Sequence, residues 1–269
     1  MAEKKIAIVT GASSGIGAAT AVALAGRGYT VIVAARRADK LEAVAQRCRQ
    51  AGGQAKVVPT DVSKEDQVNA LVRAAVDELG QLDVMVNNAG VGLFSRLVET
   101  TDRDMRALFD VNFHGVFYGA KAAAEVMSRQ RHGHIFNVSS VIGKRGTPFH
   151  GAYCATKFAI VGMSDSLRVE LAPYHVQVTT VCPALTDTEF FDHSARGKAA
   201  QSSFAAIKGG FMSPQKVARQ IVKAIGKSRP EIIVSAGGRF LVLMSALFPR
   251  LVDRGMKAYH EAMVKNVGP

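Results

Sequence analysis

Seven short apolar segments recur along the chain, and segments of helical composition separate most of them. The apolar segments are KIAIVT, TVIVAA, AKVVPT, LDVMVN, HIFNVS, VQVTTVCP and EIIVS. The helical segments cover residues 38–52, 64–79, 103–130, 151–173 and 213–227. Strands that alternate with helices form a parallel sheet with helices on both faces. Because these strands are apolar almost throughout, both faces of the sheet must be buried. The pattern predicts an α/β fold, with a doubly wound parallel sheet of about seven strands.

Length, charge and cysteine content narrow the class of protein. The 269 residues suit one large domain over residues 1–269. Lys and Arg exceed Asp and Glu by 34 to 22, a net charge of +12, so nucleic acid and anionic membranes are candidate partners. The charges are scattered and no nucleic-acid-binding motif is found, which predicts no nucleic-acid partner. The three cysteines are far apart, which predicts reduced thiols and no structural zinc site. The N-terminal apolar run IAIV is too short for a signal peptide, so we expect a cytoplasmic protein.

The first apolar segment runs into TGASSGIG, from Thr10 to Gly17, and then into a helical segment. Gly11 suits a tight turn, Gly15 allows the backbone to approach a phosphate, and Gly17 allows the helix to pack closely. The N-terminus of the helix then faces the anion. A glycine triplet alone is a weak signal. Between a strand and a helix at the start of the chain, it predicts a Rossmann-type dinucleotide site.

Tyr153 and Lys157 lie four residues apart in a segment of helical composition, GAYCATKFAIVGMSDSLRVELAPY. At this spacing both side chains occupy one face of the helix, so the lysine charge acts on the phenol. An ordinary phenol has a pKa of about 10, and a nearby cation favours its ionised form. The spacing predicts a pKa of Tyr153 that is lowered toward neutrality. Taken alone, the pair fits a core tyrosine and a solvated lysine better.

Five motifs together resemble the short-chain dehydrogenase/reductase (SDR) family over residues 4 to about 235. They are the glycine turn, NNAG at Asn87–Gly90, the asparagine of FDVNFHG, the second serine of NVSS, and the Tyr-x-x-x-Lys pair. The resemblance implies hydride transfer between C4 of a nicotinamide and a carbonyl or carbinol carbon, with proton exchange at the oxygen. It implies that the catalytic residues are Asn112, Ser140, Tyr153 and Lys157.

Each of these four residues has an implied role. Tyr153 is the general acid/base, Ser140 binds the substrate oxygen, and Lys157 holds the nicotinamide ribose and relays protons. Ser139 competes with Ser140 but points in a different direction. Asn112, a poor helix former inside a helical segment, is either a local kink or part of a water-linked proton relay.

The resemblance also implies cofactor contacts at the ends of several strands. These residues are Gly11, Ser13, Ser14, Gly15, Ile16, Gly17, Arg36, Arg37, Asp61, Val62, Asn88, Ala89, Gly90, Tyr153, Lys157, Pro183, Leu185 and Thr188. Asp61 fits equally well a residue of a turn that starts a helix. Ala184 departs from the family pattern, which usually has glycine after Pro183.

The residues that follow the second strand predict the choice of cofactor. Family members that prefer NAD carry an acid at the end of this strand, whereas this chain has Ala35, followed by Arg36 and Arg37. A guanidinium at this edge fits a 2′-phosphate, which it binds through two hydrogen bonds. Asp39 is the competing acid, but together with Glu42 it matches a helix-capping pattern. The sequence predicts NADP(H) as the cofactor.

No metal site is predicted. His132 and His134 flank a predicted turn, and no third ligand lies at a suitable spacing. We interpret both histidines as loop residues.

Residues 188–212 look like a mobile insertion that covers the substrate. Their aromatic residues would form an apolar wall for the substrate or anchor the insertion on its own domain. These residues are Phe190, Phe191, Phe204 and Phe211.

Residues 237–269 form a C-terminal extension with apolar residues at helical spacing and a break at Pro249. The apolar residues are Met244, Phe248, Leu251, Val252, Tyr259 and Met263. The apolar run 240–248 is too short to span a bilayer, which takes about 20 residues. The pattern favours burial against the substrate-binding side of the same or a partner subunit. A dimer contact and an interfacial membrane anchor, with Arg239, Arg250, Arg254, Lys257 and Lys265 toward anionic lipid, stay open.

The sequence therefore predicts an NADP(H)-dependent oxidoreductase that acts on a carbonyl/secondary-alcohol pair of a small apolar substrate, as a homodimer or homotetramer. One alternative is a 3-oxoacyl thioester reductase, which the basic surface permits and the C-terminal extension disfavours. The other is a non-catalytic NADP-binding sensor, which the four intact catalytic residues disfavour.

Overall fold

Parallel strands form the centre of the structure. The structure is a computed structural model, and it describes residues 5–187 and 211–267. The strands are β1 (Ile6–Thr10), β2 (Thr30–Ala35), β3 (Gln54–Pro59), β4 (Val84–Asn87), β5 (Gly133–Val138), β6 (Val176–Cys182) and β7 (Glu231–Ile233). They form one parallel sheet in the order β3-β2-β1-β4-β5-β6-β7. The order reverses between β1 and β4, and ligands of doubly wound sheets bind beside such a reversal. The predicted fold class is confirmed.

Helices cover both faces of this sheet. In the described part of the chain they are α1 (Gly15–Ala25), α2 (Ala38–Gln50), α3 (Glu65–Leu79), α4 (Asp102–Phe109), α5 (Gly115–Gln130), α6 (Gly151–Leu171), α7 (Pro214–Ala224), α8 (Ala236–Leu247) and α9 (Pro249–Val267). Helices α1, α2 and α7 share one hydrophobic core. Helices α3, α5 and α6 share the other.

Strand β1 shows why the apolar runs predicted the sheet. Successive side chains of a strand point to opposite faces. Ala7 and Val9 accordingly pack into the core on the α1 side, while Ile6 and Ile8 pack into the core on the α3 side. All four are fully buried. Each large side chain contributes roughly 1.5–3 kcal/mol by its burial, so the strand is stabilised from both faces.

Pro249 separates the two C-terminal helices, as the sequence predicted. Helix α8 ends at Leu247 and α9 begins at Pro249. Proline is tolerated at the first position of a helix because the N–H group that it lacks has no partner within the helix there. The predicted buried stripe is wrong in part. Phe248 and Leu251 are 54% and 55% exposed, because they lie at the turn between the helices, away from the face that packs inward. Among the described residues, no helix combines the length and the apolar character needed to cross a bilayer.

Two local predictions are wrong. His134 is not a loop residue: it lies in β5, 2% exposed, with Nε2 at 2.8 Å from Thr179 Oγ1. Burial lowers the pKa of His134 to about 3, so it is a neutral core residue. Asp39 does not cap α2, because the helix begins one residue earlier and its N-cap is Arg37. Asp39 instead lies in the first turn, where its charge interacts favourably with the helix dipole.

Candidate active site

A cavity of about 940 Å³ lies at the carboxyl edge of the sheet. Its walls extend from the glycine turn after β1, past Tyr153 and Lys157 on α6, to side chains of α8 and α9. The sequence places all these segments far apart. The parallel sheet brings them together because the loops after β1, β2, β3, β4, β5 and β6 all emerge at the same edge.

The glycine turn is fitted closely to the loop after β4. Gly11 has a φ of +64°, and a Cβ at this position would lie 2.7 Å from the Cα of Ala89. Gly17 has no positive φ, but a Cβ added at this position would overlap the carbonyl oxygen of Gly11. The two glycines therefore let α1 start directly against the turn. Gly11, Ser13, Ser14, Gly15 and Ile16 line the cavity, whereas Gly17 is buried behind it.

Hydrogen bonds fix the loop after β4 to the end of β1. The hydroxyl of Thr10 accepts hydrogen bonds from the backbone N–H groups of Asn88 and Ala89, at 3.0 and 3.1 Å. The amide of Asn88 donates to the carbonyls of Thr10 and Gly11, at 3.0 and 3.3 Å. Asn88, Ala89 and Gly90 are thereby held along one wall of the cavity. The sequence indicated these three residues but gave no role to Thr10.

The two arginines after β2 lie at the end of the cavity nearest the glycine turn. Ala35, Arg36 and Arg37 all line it. The guanidinium of Arg37 donates to the hydroxyl of Ser13 at 3.0 Å, and its Nη2 is 3.5 Å from the hydroxyl of Ser14. Arg36 is exposed. This end of the cavity is therefore cationic, and one of its two cations is already positioned over the glycine turn.

Asp61 and Val62 line the same end, after β3. The carboxylate of Asp61 accepts hydrogen bonds from the backbone N–H and the hydroxyl of Ser63, at 3.0 and 2.8 Å. This is the turn that leads into α3. Both interpretations of Asp61 therefore agree with its position, since it stabilises a turn and also faces the cavity.

Tyr153 and Lys157 lie on the first two turns of α6, with Lys157 Nζ at 5.5 Å from the centre of the Tyr153 ring. Lys157 is 3% exposed, so it is not the solvated lysine of the simpler interpretation. Its ammonium donates to the carbonyl of Val138 at 3.0 Å. Burial lowers the pKa of Lys157 to about 8.

The prediction that this pair lowers the pKa of Tyr153 is wrong for the residues of the chain alone. Burial raises the pKa of Tyr153 far above its ordinary value, and the neighbouring Cys154 adds to the increase. A hydrogen bond with the side chain of Ser140 acts in the opposite direction. Desolvation outweighs the favourable interactions, so Tyr153 is a neutral phenol in this site.

The two serines after β5 have different surroundings. Ser139 is 3% exposed and its hydroxyl donates to the backbone carbonyl of Lys157 at 2.8 Å, which joins β5 to α6. The hydroxyl of Ser140 accepts from the N–H of Ile142 at 3.3 Å and bonds the side chain of Tyr153. Their different orientations agree with the choice of Ser140 over Ser139.

Asn112 lies in a π-helical turn, Asp110–His114, between α4 and α5. Its side-chain oxygen accepts from the N–H of Val91 at 2.7 Å, and its amide donates to the carbonyl of Val91 at 2.9 Å and to the hydroxyl of Thr156 at 3.2 Å. The predicted local distortion of the helix is present. The direct contacts of Asn112 join the loop after β4 to α6, so it positions both sides of the cavity.

The opposite end of the cavity is largely apolar. Leu93, Leu241, Met256 and Tyr259 line it, together with His150. Burial lowers the pKa of His150 to about 4, so this ring is neutral too. Pro183 and Leu185 line the cavity nearby. The predicted Thr188, Phe190, Phe191 and Phe204 lie outside the described residues.

An aromatic cluster lies behind this end, and the sequence analysis indicated Met263 and Phe211 but missed Phe94, Phe149 and His260. Phe149 has a φ of +66°, which is unusual for a large side chain. Its ring stacks on Phe94 at 5.1 Å and on His260 of α9 at 5.3 Å. Met263 completes the buried cluster, with Phe211 packed against it. Phe94, Phe149 and His260 are far apart in sequence, and no periodic pattern links them, so only the tertiary structure reveals that they meet.

Comparison with known proteins agrees with this geometry. The short chain dehydrogenase family model matches residues 5–199. An uncharacterized oxidoreductase of Bacillus subtilis is 35% identical over 263 residues, covering 95% of this chain and 73% of the relative. An uncharacterized oxidoreductase of Staphylococcus saprophyticus is 35% identical over 225 residues, covering 83% of this chain and 90% of the relative.

Two solved structures extend the comparison to the fold. An SDR of Burkholderia phymatum in complex with NAD has a TM-score of 0.85 at 30% identity, covering 93% of this chain and 95% of that one. An alcohol dehydrogenase of Thermococcus sibiricus in complex with 5-hydroxy-NADP has a TM-score of 0.76 at 30% identity, covering 86% and 96%. With the family match, the sheet order and the five motifs in agreement, the chain is an oxidoreductase of the short-chain dehydrogenase/reductase family.

Proposed function

We propose that the protein is an NADP(H)-dependent reductase, or dehydrogenase, of a carbonyl/secondary-alcohol pair in an apolar substrate. The observation that carries the proposal is the position of Tyr153. Its hydroxyl, hydrogen-bonded to Ser140 and one helical turn from Lys157, lies between a cationic and an apolar end of one cavity. The cationic end suits the phosphates of a dinucleotide, and the apolar end suits the substrate.

The residues present fit a dinucleotide. Gly11 and Gly15 line the cavity with positive φ, so bare backbone faces it at the start of α1, as a pyrophosphate requires, and Gly17 behind them lets the helix start against the turn. Arg36 and Arg37 would bind the adenosine end. Lys157 uses one hydrogen for the carbonyl of Val138, which leaves two for ribose hydroxyls. When bound, the nicotinamide supplies or accepts the hydride at the substrate carbon.

The chain's own residues handle the proton. In reduction, Ser140 donates a hydrogen bond to the carbonyl oxygen and Tyr153 gives that oxygen its phenolic proton, which yields the alcohol and a phenolate. Lys157 stabilises the phenolate by its charge until solvent returns the proton. Oxidation of the alcohol uses the same steps in reverse. A neutral, half-buried Tyr153 is the form that reduction requires at the start.

Tyr153→Phe tests this proposal, because it removes the acid/base and changes little volume. We expect turnover on a substrate identified from a panel of carbonyl compounds to fall at least about 100-fold, the lower range of general-acid contributions. The dissociation constant for NADPH should change less than about threefold, since the ring stays in place. Tyr174→Phe, at an exposed tyrosine, is the matched control. Near-normal turnover by Tyr153→Phe would refute the assignment. Cofactor binding by the unmutated protein without turnover of any carbonyl or alcohol would favour the sensor alternative.

The preference for NADP over NAD rests on the charge after β2. Ala35 offers no carboxylate to a ribose, and Arg36 is exposed at the cavity, where its guanidinium is available to a 2′-phosphate. We expect NADPH to bind at least about tenfold more tightly than NADH, and Arg36→Ala to remove most of this difference through the loss of a charge-assisted hydrogen bond. Calorimetric titration of both cofactors measures it. Arg103→Ala, at an exposed arginine on α4, should leave the ratio unchanged. Equal affinities in the unmutated protein would exclude the preference.

A further inference from the structure

We propose that helices α8 and α9 dock the protein on the surface of an anionic phospholipid bilayer. The contact is an exposed apolar surface, here called the outer patch, formed by Phe240, Leu243, Leu247, Phe248 and Leu251. This goes beyond the proposed reaction, because none of these five side chains lines the cavity.

The outer patch is large for a surface exposed to water. Its five side chains are 54–65% exposed and come from only twelve consecutive residues, 240–251. Phe240, Leu243 and Leu247 share one face of α8, since residues three and four apart lie on the same side of a helix. Phe248 and Leu251 continue the surface across the turn. Contiguous apolar surfaces of this kind mark interaction sites.

The opposite face of the same two helices is already used. Leu241, Met256 and Tyr259 face the cavity, and Met263 is buried in the aromatic cluster. An ion pair between Arg145 and Asp253 and the stacking of Phe149 on His260 hold α9 in this orientation. The outer patch is therefore presented by a fixed pair of helices, and a partner can bind it without breaking contacts within the protein.

Charge decides which partner fits. Within residues 236–264 the basic side chains are Arg239, Arg250, Arg254 and Lys257, all exposed. The acidic ones are Asp253, which is paired with Arg145, and Glu261. An apolar surface bordered by cations matches the interface of an anionic bilayer, where apolar side chains enter the acyl boundary and cations meet the head groups.

A second copy of the chain fits this surface less well. Symmetric self-association would bring two sets of these cations together. The groove between α5 and α6 offers a better surface for a copy, because it exposes Phe117 beside charges of both signs, such as Lys121 and Glu125. The outer patch is thus the surface left for lipid.

Co-sedimentation of the full chain with lipid vesicles tests the proposal. We expect binding to phosphatidylcholine vesicles with about 30% phosphatidylglycerol that is at least tenfold stronger than binding to phosphatidylcholine alone. Added salt should weaken it, because ions screen the cationic border. Leu243→Asp/Leu247→Asp should reduce affinity for the anionic vesicles at least about tenfold, since charges oppose insertion of the patch.

A matched pair of charge variants separates this surface from the general basicity of the protein. Arg250→Glu/Arg254→Glu changes two exposed cations four residues apart on α9, and Arg219→Glu/Lys223→Glu changes two on α7. Only the first should lose binding. Circular dichroism and cofactor titration check that each variant is folded. Absence of the unmutated protein from sedimented anionic vesicles, or equal losses in both charge variants, would overturn the proposal. The proposal would also be overturned if the unmutated protein did not bind vesicles and Leu243→Asp/Leu247→Asp had a lower mass by light scattering. That result would assign the patch to a second copy.

Discussion

At the scale of single residues, Tyr153 and Lys157 both lie where burial disfavours charge. The same desolvation raises the pKa of the phenol and lowers that of the ammonium to about 8. The spacing of the pair predicts an ionised tyrosine, yet burial keeps the proton on Tyr153. In the proposed function, the residues of the chain alone therefore keep Tyr153 in the form of a general acid, which suits reduction of a carbonyl. In the proposed oxidation, the positive ring of an oxidised nicotinamide would lower the pKa of Tyr153.

The lowered pKa of Lys157 predicts a dependence of stability on pH. In the unfolded chain an ordinary lysine has a pKa of about 10.4, whereas in the folded protein the pKa of Lys157 is about 8. Below about pH 8, Lys157 is protonated in both the folded and the unfolded state, and the folded state is destabilised by the buried cation. As pH rises from the folded toward the unfolded value, the folded state loses the proton first, so the free energy of unfolding increases. We expect Lys157 to add about 1.5 kcal/mol between about pH 8 and about pH 9.5.

The difference between the unmutated protein and Lys157→Met in urea titrations at both pH values measures this gain. The variant should lack it, while Lys223→Met, at an exposed lysine, should retain it. The raised pKa values of Cys48, Cys154, Cys182 and Tyr153 lower the free energy of unfolding as pH rises through the same window, because the unfolded chain loses these protons first, and they do so in all three proteins. Equal slopes in the unmutated protein and Lys157→Met would show that the ammonium is solvated.

At the scale of elements, Asn112 holds together parts of the fold that the sheet does not join. The π-helical turn points its amide at the backbone of Val91 and at Thr156 of α6. We expect Asn112→Ala to lower the free energy of unfolding by about 2 kcal/mol, because the N–H and C=O of Val91 lose their partners. Asn69→Ala on α3, at a half-buried residue, is the control and should cost less than about 1 kcal/mol. A denaturation midpoint of Asn112→Ala equal to that of the unmutated protein would contradict the positioning role.

The elements themselves were largely predictable, and the reasons are physical. Buried parallel strands must be apolar on both faces, so β1, β2, β4, β5 and β6 appear directly as apolar runs, whereas the edge strands β3 and β7 are only partly buried. Gly11 and Gly17 were recognisable because their conformations and contacts exclude other residues. His134 was not predictable, since a histidine enters a core only where a partner such as Thr179 lies close in space. The predicted burial of Phe248 and Leu251 is wrong because apolar residues at helical spacing do not reveal which face of a helix is covered.

At the scale of the whole molecule, one cavity is built from both ends of the chain. The glycine turn at the start of the chain and helices α8 and α9 at its end line the same space, with Tyr153 between them. In the sheet, β1 lies next to the central strand β4, while β7 and the segment after it lie at one edge. In the proposed function, cofactor and substrate binding are thus separated along the cavity, and a change at one end should leave the other nearly intact.

The C-terminal helices allow that separation to be tested. Truncation after Gly238 removes Leu241, Met256 and Tyr259 from the cavity wall and uncovers the rings of Phe94 and Phe149. We expect the KM for the apolar substrate to rise at least about tenfold, since the loss of apolar contacts worth about 1–3 kcal/mol has this effect. The dissociation constant for NADPH should change less than about threefold, because the glycine turn and both arginines are retained. Because truncation also exposes apolar surface that promotes aggregation, Met256→Ser/Tyr259→Ser in the full chain carries the same comparison, with light scattering as a check on assembly. A substrate KM that stays constant in both proteins would show that α8 and α9 do not contribute to substrate binding. Their cavity-facing side chains would then serve only to hold the outer patch in place.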